Sequence, residues 1–90
     1  MPDVQGRIEE LRSEGEAAIA SASDAASLEE ARVRYLGRKA ELTGILRGIA
    51  ELPADQRGPV GSAANRAREA LETSSEARRR EIEAQKRRGQ

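Results

Sequence analysis

Sixteen basic side chains, with no histidine and no cysteine, set the chemistry open to this 90-residue chain. Arg38, Lys39, Arg47, Arg57, Arg66 and Arg68 occupy the middle, and the runs Arg78-Arg79-Arg80 and Lys86-Arg87-Arg88 follow. Guanidinium forks and lysine ammonium groups recognise phosphate, so the six mid-chain bases are the candidate contacts for a nucleic-acid backbone. Each also has an ordinary reading as a solvated helix residue, and the C-terminal runs have one as cations complementing a helix dipole, diluted by Glu81 and Glu83. No catalytic residue and no metal ligand is assigned. General acid–base work most readily uses histidine, nucleophilic work cysteine or an activated serine, and transition-metal sites histidine or cysteine. Glu9-Glu10 and Glu29-Glu30 read as solvated faces or first-turn charges. Gly44 and Gly48 lack the Lys-Ser or Lys-Thr of a phosphate loop.

Composition restricts the elements that must position these bases. The chain is 36% charged and 37% hydrophobic with one aromatic residue, Tyr35, which bounds it to a small helical unit with a thin core. No apolar run approaches the roughly 18 residues of a membrane span, and Met1-Pro2-Asp3-Val4 does not open a signal peptide, so the expected location is cytoplasmic, away from membranes. The net charge of zero hides a gradient. Residues 1–27 carry two bases against six acids, residues 28–52 five against four, and residues 53–90 nine against six. That asymmetry suits an anionic partner, although mixed charge also keeps any exposed helix in solution.

The periodicity predicts an all-α fold: a long antiparallel helical hairpin, or coiled coil, preceded by a short N-terminal helix. Residues 1–26 form the first helix and a linker, capped by Asp3 and burying Val4, Ile8, Leu11, Ala18 or Ile19, and Ala22. Residues 27–90 form the arm. Ser27 with Glu30 fits a capping box, and the heptad series Leu28, Tyr35, Leu42, Ile49, interleaved with Ala31, Arg38, Ile45, Leu52, predicts one continuous helix to Pro53. Only Arg38 breaks that seam. A turn is expected at about 53–58, with Pro59 opening a third helix whose seam is Val60, Ala64, Ala67, Leu71, Ser74, Arg78 and Ile82. Gly37, Gly44 and Gly48 fall within about 40° on the helical wheel of the second helix. That places a stripe of bare backbone beside either another helix or a nucleic-acid backbone. Tyr35 is read as a seam residue before a base-stacking one.

The ordered set Tyr35-Leu36-Gly37-Arg38-Lys39, Glu41-Leu42-Thr43, Leu52-Pro53, Arg57, Val60-Gly61, Asn65 and Glu76-Ala77-Arg78-Arg79 resembles the N-terminal arm of the bacterial phenylalanyl-tRNA synthetase alpha subunit. The match runs from residue 28 to about 85 without a gap. It departs at Ala40, where that family usually has glycine, at Asp55-Gln56, where it has an acidic pair, and at Gly58-Pro59, where the proline falls one position late. The resemblance implies an antiparallel coiled coil that clasps tRNA, joined to a class II catalytic domain beyond Gln90. It implies that ATP and magnesium act in that domain and no cofactor in this chain. The implied partners are tRNA and a beta subunit in a two-alpha two-beta tetramer, with no DNA. Without the resemblance, the mixed charge, the heptad seam and the lack of interleaved aromatic residues favour a coiled-coil assembly module whose partner is protein, either another copy or a neighbouring subunit.

Overall fold

The computed structural model describes residues 4–88 as four α-helices and one 3-10 turn. They are α1 (Val4–Ser21), α2 (Ala25–Leu36), α3 (Glu41–Arg47), the 3-10 turn Ile49–Glu51, and α4 (Ala54–Arg88). The expected N-cap at Asp3 lies outside the described residues. The all-α fold is as the sequence predicts, in a rod of 55 × 20 × 18 Å.

Helix α1 buries Ile8, Leu11, Gly15 and Ile19, one stripe at spacings of three and four. It packs beside the hairpin, against α4. Its close approach needs Gly15, because a Cβ there would sit 2.5 Å from Leu71 Cδ2 and 3.2 Å from Tyr35 Cγ. The same separation of seven residues recurs on both sides: Gly15 meets Leu71, and the carbonyl of Ala22, just past the end of α1, accepts a 2.8 Å hydrogen bond from Arg78 Nε. The two helices are therefore parallel. Helix α2 returns antiparallel to both after a link of only three residues, Ala22 to Asp24.

That link is shorter than the sequence reading expects because Asp24, not Ser27, is the N-cap. Its carboxylate accepts from the Ser27 N–H at 2.7 Å, which satisfies one orphan donor of the first turn. The hydrogen bond holds the Asp24 carboxyl below its usual range.

The predicted continuous second helix is also corrected: residues 37–40 interrupt it, and the 3-10 turn replaces its last residues. Gly37 ends α2 with an extended backbone, φ −72° and ψ 172°, and a Cβ there would collide with the Val33 carbonyl. Its own carbonyl accepts from Ala40 N–H at 3.1 Å and from Thr43 Oγ1 at 2.7 Å, folding the link tightly. Ala40 is 6% exposed and adopts ordinary extended angles, so the position requires no glycine. The three-glycine stripe therefore does not form. Gly37 and Gly48 are helix ends, and a Cβ on Gly44 would meet open space.

The reversal into α4 is likewise tighter than the predicted turn at 53–58. It takes place at Leu52-Pro53, where Pro53 accepts the first helical bonds from Gln56 and Arg57. Asp55 supplies a first-turn charge favourable to the dipole, and Pro59 lies inside α4 near its start. There its missing donor costs one bond to the exposed Asp55. Helix α4 then runs 35 residues and buries Val60, Ala64, Ala67, Leu71, Ser75 and Ile82. Ser75 takes the place predicted for Ser74, and Arg78 turns its head to the α1 end. Small residues on α4 let α1 and α2 come close, while Leu71, Ile8 and Ile19 fill the centre at 2% exposure or less.

Candidate nucleic-acid interface

The break between α2 and α3 puts Arg38 and Lys39 on an exposed link. The predicted seam position of Arg38 is thereby removed. Because Thr43 and Ala40 both bond back to Gly37, this link is short and held at both ends, with its two cations outward. Arg47 is the last residue of α3, held in place by the bonds from Gly48 N–H to Gly44 and Ile45. Across the groove, Arg68 comes from α4.

Arg38, Arg47 and Arg68 line one surface hollow of about 360 Å³, with Leu36, Gly37, Thr43 and Leu46 completing it. No acidic side chain lines it. Three other grooves are balanced or acidic. The α1–α4 groove has Glu16 and Glu81 against Arg78; the α1–α2/α3 groove has Glu14 and Glu41 against Arg7 and Arg34. At the far end of the α2–α4 groove Glu29 and Glu83 balance Arg32 and Arg79.

Partner geometry divides the bases in the same way. Arg38, Lys39, Arg47 and Arg66 make no ion pair or hydrogen bond with the described residues, nor do Lys86, Arg87 and Arg88. Arg68 makes one, Nε to Glu72 at 3.3 Å. Arg57 donates to the Leu52 carbonyl at 2.8 Å and so ties the reversal as well as facing solvent. By contrast Arg79 bridges Glu76 and Glu83 at 2.5 and 2.8 Å, and Arg80 reaches Glu76 at 3.5 Å. The run Arg78-Arg79-Arg80 is thus largely neutralised within α4.

The six predicted contacts are not all on one side. Arg38, Arg47 and Arg68 converge, Lys39 adjoins them, and Arg57 shares the face of Arg68 three helical turns earlier. Arg66 lies about 200° from Arg68 around α4 and faces outward. Between residues 37 and 68 six bases meet three acids, so the distal end is cationic as a whole. Tyr35 packs, half-buried, against Gly15, with Arg34 Cζ 5.6 Å from its ring centroid.

Two residues outside the predicted set hold the site. Arg7 of α1 forks onto Glu41, the first residue of α3, with Nε to Oε2 at 2.5 Å and Nη2 to Oε1 at 2.7 Å. That fork draws the Glu41 carboxyl below its usual range. Thr43 closes the link. Neither role has a sequence signal, since both depend on a break that the heptad pattern conceals. No cluster of His, Cys, Asp or Glu among the described residues is arranged for a metal ion, and no helix there is long and apolar enough to cross a membrane.

Residues 23–90, which contain α2, α3 and α4, match the family model described as aminoacyl tRNA synthetase class II, N-terminal domain. The phenylalanine–tRNA ligase alpha subunit of Chromohalobacter salexigens is 45% identical over 74 residues, covering 82% of this chain and 22% of that protein. That of Moorella thermoacetica is 49% identical over 65 residues, covering 72% and 19%. The Nostoc punctiforme subunit is 42% identical over 82 residues, covering 91% and 25%. The chain therefore spans about a fifth to a quarter of the length of these relatives. The order of motifs, the helical arm and these matches agree: the chain belongs to the N-terminal domain family of class II aminoacyl-tRNA synthetases, with phenylalanine–tRNA ligase alpha subunits as its relatives.

Proposed function

We propose that this domain is the tRNA-binding arm of a phenylalanine–tRNA ligase alpha subunit, positioning tRNA(Phe) for aminoacylation while contributing no catalytic group. The observation that carries this reading is the acid-free hollow of Arg38, Arg47 and Arg68. Three guanidinium groups on two walls of a groove suit phosphate oxygens, which they can fork without reading base sequence. The absence of an aromatic side chain from this hollow argues for recognition of backbone and shape over splayed bases. In this reading ATP and magnesium act in the catalytic domain of the enzyme, a beta subunit completes a two-alpha two-beta assembly, and the work takes place in the cytoplasm.

The test is removal of this domain from the assembled enzyme, followed by both half-reactions. Phenylalanine activation, followed as pyrophosphate exchange, is expected to persist, while the KM for tRNA rises. Loss of activation, or aminoacylation unchanged at every tRNA concentration, would reject the role and favour a module that only joins subunits.

A further inference from the structure

We propose that the RNA track extends beyond the distal hollow along the whole flank of α4, as a straight ladder of four cations: Arg57, Arg68, Arg79 and Lys86. This inference rests on the tRNA-arm reading and gives it a direction and a length. The spacings are eleven, eleven and seven residues. At about 100° per residue they return to within roughly 40° of one line, with rungs about 16, 16 and 10 Å apart along the axis. The ladder spans about 43 Å.

Two separate contacts fix which way this line faces. Arg68 lines the hollow it shares with Arg38 and Arg47 from the α2/α3 side. Arg79 lines another hollow, against Leu28 and Arg32 of α2. Both lie in the same groove at opposite ends, so the ladder follows that groove. Its neighbours are divided from it. Arg78 turns to α1 and donates to Ala22, and Arg80 and Arg88 lie about 140° and 220° around from Arg57, on the outer face.

The partner that fits is the backbone of a double-helical RNA stem. A duplex offers closely spaced phosphates along a rigid row, whatever its sequence, so widely set rungs each find one. A flexible single strand would look for stacking platforms, and Tyr35, the chain's one aromatic, is packed against Gly15. Arg79 is a shielded rung. Its forks to Glu76 and Glu83 must yield to phosphate, while Lys86 makes no ion pair among the described residues.

The test uses the assembled ligase and a tRNA(Phe) transcript, titrated over a series of salt concentrations. Arg79→Gln with Lys86→Gln removes two rungs; Arg80→Gln with Arg88→Gln removes two charges at matched heights on the outer face. The rung pair is expected to make the log–log salt slope shallower by about two and to weaken binding about tenfold, whereas the outer pair leaves the slope as it was. If the loss of its acidic partners unfolds the Arg79 variant, Lys86→Gln against Arg88→Gln makes the same comparison with a slope change of about one. Equal effects from both pairs would overturn the ladder in favour of diffuse charge. No effect from either pair, with Arg38→Ala and Arg47→Ala still weakening binding, would confine the contact to the distal hollow. In both of these outcomes the tRNA-arm reading stands. It fails only if removal of the whole domain also leaves tRNA affinity unchanged.

Discussion

Gly15 shows how much a single residue can decide in a core this thin. A Cβ at that position would press on Leu71, which is fully buried, and on the root of the Tyr35 ring. Alanine would gain about 0.8 to 1 kcal/mol of helix propensity, but overpacking costs about 1 to 3 kcal/mol. Gly15→Ala should therefore destabilise by about 1 kcal/mol in denaturant melts; a more stable protein would mean that Leu71 has room to turn. Asp24 acts at the same scale through charge. The Asp24 carboxyl is lowered by its bonds to Ser27, and the carboxyls of Glu41 and Glu76 by Arg7 and Arg79 respectively. Their ordinary values are 3.8 for Asp24 and 4.5 for the two glutamates. Because the folded values lie below these, the stabilisation is complete above about pH 5 and is lost as pH falls through the lowered values. Asp24→Asn keeps the cap without the titration, so its melting temperature should fall less steeply in acid than that of the parent; identical acid profiles would remove Asp24 from the account.

At the scale of elements, the sequence exposed the helices, the linker after the first of them and the stop at Pro53, but not the break within residues 28–52. Ile8, Leu11 and Ile19 on α1, and Ala22 just past its end, are buried as their spacing predicts, and so are Val60, Ala64, Ala67, Leu71 and Ile82 on α4. A helical period reports a face and says little about continuity: Leu28 and Leu42 are both buried although the helix between them is cut. The cut depends on contacts that no wheel displays, chiefly Thr43 Oγ1 to the Gly37 carbonyl. Nor did the spacing of Arg7 and Glu41, 34 residues apart, signal the fork that ties α1 to α3. The cationic hollow was legible as a list of bases but not as a convergence, since Arg66 and Arg68 look equivalent in sequence and face apart. Gly37→Ala tests the cut directly. The steric collision of the added methyl with the Val33 carbonyl should cost about 1 to 3 kcal/mol, and an unchanged melting temperature would show that the link relaxes freely. Leu42 is 2% exposed, so Leu42→Ala should cost about 2 to 5 kcal/mol. A loss below about 0.5 kcal/mol would mean that α3 is not anchored to the bundle.

For the whole molecule, charge is sorted by groove more than by chain position. The α1 side is stitched with ion pairs: Arg7 reaches Glu10, Glu14 and Glu41, and Arg12 joins Glu9 to Glu16. Such exposed pairs add little to stability, but they leave no surplus cation on that side to attract phosphate. The opposite groove keeps Arg38 and Arg47 without partners and Arg68 with one long contact. A polyanion approaching the rod therefore meets an attractive field on one flank and a compensated one on the other, which selects orientation before any close contact forms. Replacing Arg38, Arg47 and Arg68 together by alanine in the assembled ligase should make the salt dependence of tRNA binding shallower by about two to three units of slope, because about three counterion-releasing contacts are lost. Phenylalanine activation should be unchanged, since none of the three reaches the adenylate chemistry in the proposed arrangement. The same triple variant should melt within a few degrees of the parent, because among the three only Arg68 makes a hydrogen bond, and that bond is 3.3 Å long and exposed. A slope equal to that of the parent, with tRNA affinity retained, would place the RNA contact elsewhere on the molecule. A fall in activation alongside tRNA affinity would show that these residues act through the assembly as a whole and not through phosphate.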